Sequence, residues 1–91
     1  MKVVVEIDIK YDAGAVDERC WQVHLTAGNM ENPSNAKLLR KMATYYAFKG
    51  NGVRYTPQEI KNMANIEARN LADVYRQVFD NKEQYSYRLE F

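Results

Sequence analysis

The chain has 91 residues, 46% of them hydrophobic and 27% charged, and carries 13 bases against 12 acids. This is too apolar for a disordered chain and too short for two separate cores, so one compact domain over residues 1–91 is expected. The longest apolar run, residues 3–5, falls far short of the ~20 residues of a spanning helix, and no leader pattern opens the chain. No membrane partner is therefore expected. The single cysteine, Cys20, cannot close an internal disulfide, and with one histidine the chain cannot assemble a cysteine–histidine metal cluster. A reducing cytoplasm and no cofactor are the expectation.

Residues 3–11 set Val3, Val5, Ile7, Ile9 and Tyr11 on one parity against Lys2, Glu6, Asp8 and Lys10 on the other. This is the pattern of a half-buried strand. Asp12, Ala13 and Gly14 supply turn chemistry. A second alternation over 19–27 places Trp21, Val23 and Leu25 inward and Cys20, Gln22, His24 and Thr26 outward, and the two strands are expected to pair as an antiparallel hairpin.

Residues 28–32 break the pattern, and Asn32-Pro33 reads as an N-cap followed by proline at the first helical position. At a helical pitch Leu38, Leu39, Met42, Tyr45 and Tyr46 gather on one side and Lys37, Arg40, Lys41 and Thr44 on the other, which predicts a first helix with a basic outer face. Gly50 then reads as the residue that stops it, with Asn51-Gly52 extending the reversal. Thr56-Pro57-Gln58-Glu59 has the form of a capping box, so a second helix is predicted from 57 to about 79. Its apolar arc holds Ile60, Met63, Ala64, Leu71, Val74, Tyr75 and Val78. A last alternation over 85–91, with Tyr85, Tyr87, Leu89 and Phe91 on one parity, predicts a third strand.

The predicted fold is therefore α+β: a two-layer sandwich in ββααβ order, with a three-stranded, mainly antiparallel sheet and a helical hairpin packed on one face. The first strand, the longest and most β-branched, is the expected centre of the sheet.

An enzyme is not expected. Cys20 and His24 lie four residues apart on one strand, roughly 13 Å at about 3.3 Å per residue, too far for a nucleophile and its base. Gly50-Asn51-Gly52 lacks the spacing and the lysine of a phosphate loop. Glu67 falls inside the apolar arc of the second helix, where a carboxylate needs a partner. Residues 32–58 carry Lys37, Arg40, Lys41, Lys49 and Arg54 and no acid, whereas residues 1–31 carry three bases and six acids. This asymmetry suits an anionic partner surface. Phe48 and Ile66 fall on polar helix sides and, if joined near the helical corner, would form an apolar patch. These features favour a small non-enzymatic protein-binding module, an inhibitor or accessory factor that covers a surface on a larger protein or complex. The anchors would be Lys37, Arg40, Lys41, Phe48, Lys49, Arg54, Tyr55 and Ile66. The alternative is a nucleic-acid binder using the basic helix face and the following loop, and a sheet edge offers a route to a homodimer.

Overall fold

A computed structural model of the chain describes residues 2–29 and 37–79. It has β1 (Val3–Tyr11), β2 (Trp21–Asn29), β3 (Leu39–Tyr45), β4 (Phe48–Gly50), β5 (Val53–Arg54) and a single helix, α1 (Pro57–Phe79). The first three strands form an antiparallel sheet in the order β1-β2-β3, and β4 and β5 form a separate small hairpin. The class is α+β, but the helical hairpin and the ββααβ order are corrected: among the described residues one helix covers the sheet. The alternation expected over 85–91 and the cap expected at Asn32-Pro33 lie outside the described residues.

Replacement of the first predicted helix by β3 and β4 runs against the local pattern of the sequence. Residues 38–46 fit a strand less cleanly than a helix, since Leu39, Ala43 and Tyr45 share one parity with Lys41 while Met42 and Tyr46 fall on the other with Arg40 and Thr44. Tertiary pairing decides between them. The whole of β3 pairs with β2, from Ala27 opposite Leu39 to Trp21 opposite Tyr45, and this second neighbour lets Val23, Leu25 and Ala27 become wholly buried. Among the described residues β2, not β1, is the central strand. It also runs on to Asn29, beyond the break expected at Gly28.

Gly50 is likewise not a helix stop. Gly50 pairs with Val53 across a two-residue loop, and Asn51 and Gly52 take φ of 52° and 76°. That is the left-handed pair that an Asn-Gly hairpin turn requires.

The parity expected for β1 and β2 holds. Ile7 faces Leu25, Ile9 faces Val23 and Tyr11 stacks on Trp21 with ring centroids 4.6 Å apart. Cys20, expected outward, is instead buried just ahead of β2. Helix α1 begins where the capping box puts it: the Glu59 amide donates to Thr56 Oγ1 at 3.1 Å and the Thr56 amide to Glu59 Oε1 at 3.2 Å. Its arc of Ile60, Ala64, Ala68, Leu71 and Tyr75 closes the core over β2. Full burial of side chains such as Leu25 and Ile60 stabilises by about 1.5–3 kcal/mol each.

Two polar contacts tie α1 to β3. Tyr75 Oη donates to the Lys37 carbonyl at 2.8 Å, while burial pushes the Tyr75 hydroxyl pKa up. Lys41 points inward from β3 and pairs with Glu67, which resolves the misfit of that carboxylate in the apolar arc.

Removing one partner of a half-buried pair strands the other. Lys41→Met is therefore expected to cost about 1–2 kcal/mol, and adding Glu67→Leu is expected to restore most of it, read by urea unfolding of both single variants and the double. Equal, additive losses would show that the pair does not hold the helix. Tyr75→Phe is expected to lower stability by about 1 kcal/mol through its unpaired carbonyl partner, measured the same way.

Candidate functional site

One end of the sheet gathers the residues best suited to recognition. Here the loop between β1 and β2 is tied back on itself, with the Asp12 amide donating to the Cys20 carbonyl at 2.8 Å and the Gly14 amide to Asp12 Oδ1 at 2.9 Å. The same loop is tied to the segment after β3, because the Ala47 amide donates to the Glu18 carbonyl at 2.9 Å. The Tyr55 amide returns to the Ala47 carbonyl at 3.0 Å and closes the base of the β4–β5 hairpin. Ala47 is thus buried and its neighbours Tyr46 and Phe48 are turned outward, 50% and 38% exposed.

Each exposed ring carries an arginine. The Arg19 guanidinium lies 5.4 Å from the centre of the Tyr46 ring, and its Nε donates to the Tyr46 hydroxyl at 3.3 Å. The Arg54 guanidinium lies 5.2 Å from the centre of the Phe48 ring, reached from the opposite strand of the hairpin. Such cation–π contacts contribute about 0.5–1 kcal/mol at exposed sites and hold the rings in place. Val53 adds an exposed apolar side chain at the hairpin tip.

The eight expected anchor residues do not share one face. Phe48, Lys49, Arg54 and Tyr55 lie in or beside the hairpin. Lys37 and Arg40 belong to the other end of β3, Lys41 points inward, and Ile66 stands on the solvent side of α1, 62% exposed. The helical corner that would have joined Phe48 to Ile66 does not exist. Lys49 pairs with Glu59 at 2.6 Å, so two of the five bases in the acid-free segment are engaged within the chain. Tyr46, Arg19 and Val53 enter the site without having been expected. The signal for Tyr46 and Val53 is the strand parity of 40, 42, 44, 46 and 48 together with the Asn51-Gly52 turn, hidden at a helical pitch, whereas Arg19 reaches the site only through tertiary contact with Tyr46.

His24 sits half-buried on the outer face of β2 opposite Asp8 and Met42. Among the described residues no group of three potential metal ligands comes together, and no helix is long and apolar enough to cross a membrane. Comparison with protein-family models, curated proteins and solved structures gives no match.

The electrostatics of the hairpin base give a pH dependence. The hydrogen bond from Lys49, followed by that from the Thr56 amide, holds the Glu59 carboxyl below the usual carboxylate range. A carboxyl lowered on folding contributes stability above its unfolded pKa and loses it as pH falls through the folded value. Glu59→Gln is therefore expected to be less stable than the parent at neutral pH, with the difference vanishing in acid. Denaturant unfolding across that range checks it, and a difference that persists at low pH would point to lost packing instead.

Proposed function

We propose that the chain is a non-enzymatic protein-binding module, an inhibitor or accessory factor that covers a surface on a larger partner. In this reading it docks with the end of the sheet that carries Tyr46, Phe48, Val53, Arg19 and Arg54. The observation that carries the reading is the pair of solvent-facing rings, each held by an arginine on a backbone fixed by cross-loop hydrogen bonds. Aromatic and arginine side chains are enriched where protein interfaces concentrate their energy. Rings already ordered lose little freedom on binding.

Nucleic acid is the second reading, and one observation favours it: Tyr46 and Phe48 are outward aromatics of the kind on which bases stack. The count of free cations weighs against it. With Lys41 on Glu67 and Lys49 on Glu59, the acid-free segment retains Lys37, Arg40 and Arg54 for phosphate contact.

The test is retention of a partner from an extract of the source cells on the immobilised protein, followed by affinity measurement with the purified partner. Phe48→Ser with Arg54→Ser is expected to weaken binding by at least about tenfold, or about 1.4 kcal/mol, while Asn62→Ala on the solvent side of α1 leaves it unchanged. A partner bound equally well by the double variant would refute the proposed docking end. Binding of single or double strands at low salt, with a log–log salt slope of about 0.9 per phosphate, would instead establish the nucleic-acid reading.

A further inference from the structure

The sheet has a second surface, away from the hairpin, whose charges are arranged in a way that the monomer leaves unused. α1 covers one face of the β1-β2-β3 sheet, and among the described residues no element covers the other, where Glu6, Arg40 and Met42 are exposed. On that outer face the register places residues in rows across the three strands. One row runs Glu6, Thr26, Arg40. The next begins with Val4 opposite Gly28, and Leu38 lies over Gly28, so close that a Cβ there would meet Leu38 Cδ2 at 3.0 Å.

The charges of this face lie on its edge strands. Asp8 is already engaged by Lys10 at 3.7 Å. Glu6 and Arg40 have no ion-pair partner among the described residues, yet they stand at opposite ends of one row with a threonine between them. Arg40 also borders a shallow depression of about 430 Å3 lined by His24, Thr26 and Met42.

We propose that this face is the interface of a weak two-fold homodimer, independent of the hairpin end. A two-fold axis running along β2 in the plane between two copies lays β1 of one over β3 of the other at the same height. Glu6 then meets Arg40 of the second copy, and Arg40 meets its Glu6. Val4 and Leu38 oppose each other in the adjoining row, where Leu38 already fills the space over Gly28. The alternative axis, across the strands, lays β1 on β1 and brings Glu6 and Asp8 of the two copies together, which like-charge repulsion disfavours. Charge on the rim and uncharged side chains along the middle strand match the anatomy of protein interfaces. A two-fold interface must be complementary to itself, and this row satisfies that condition.

The face is small. Three strands about 4.8 Å apart and strands of about 30 Å project on the order of 400 Å2 per copy, half of the roughly 800 Å2 of a stable interface. The dimer is therefore weak and forms with rising concentration.

Sedimentation velocity over a concentration series tests it, using the full chain and the charge-reversal variants Arg40→Glu and Glu6→Arg, singly and together. The parent is expected to pass from monomer to dimer. Each single reversal sets like charges against each other twice and is expected to raise the dissociation constant by at least about tenfold, and the double reversal to restore it. Both substituted residues are exposed, so circular dichroism should show the same fold throughout. A parent that stays monomeric at millimolar concentration, single variants that dimerise as the parent does, or a double variant that fails to recover would each overturn the proposal.

Discussion

Close packing of one helix on two strands, β1 and β2, governs this structure. Ala64 and Ala68 lie in the contact line of α1, and Ala27 is wholly buried in β2. Small side chains at these points let Ile60, Leu71 and Tyr75 reach down around them onto Val23 and Leu25. A larger residue at Ala64, which is fully buried, would be accommodated by off-rotamer side chains and a local shift of α1, at a cost of about 1–3 kcal/mol. The seat of α1 in turn positions Glu67 over Lys41 and Tyr75 over the Lys37 carbonyl, so the polar ties follow from the apolar contact and do not create it.

For β1, β2 and α1, each with one dominant period, the element is legible in the sequence. β1 and β2 announce themselves by alternation that only Val4 interrupts, and the capping box at Thr56 sets the start of α1 because its two hydrogen bonds are local and need no tertiary help. The segment 38–48 is different. Its leucines, methionine and tyrosines fit a helical arc, whereas in a strand Leu39 and Tyr45 fall on one face and Met42 and Tyr46 on the other, and the strand wins through its pairing with the second edge of β2. A helical pitch over 38–48 makes Asn51-Gly52 a helix reversal, although Asn-Gly between short apolar stretches is the stronger sign of a two-residue hairpin.

The candidate site was legible to the same extent. Phe48, Arg54, Lys49 and Tyr55 were singled out by composition and do lie together, whereas Arg40 and Lys41 were grouped by a helical face that a strand splits between its two sides. Adjacent residues of a strand point in opposite directions. Lys41 therefore serves the core through Glu67 while Arg40 stays on the outer face. Glu67 is the instructive case: its misfit on the helix wheel correctly signalled a partner, and the partner came from a residue assigned to solvent.

The burial of Cys20 bears on how the chain responds to oxidants. Its thiol sits 6% exposed ahead of β2, sealed behind the loop whose Asp12 amide binds its own carbonyl. Oxidation and mixed-disulfide formation require an accessible thiolate. The folded chain should thus keep its sulfur reduced in air as well as in a thiol buffer, and the presence of a single cysteine says correspondingly little about the redox state of the compartment in which it works.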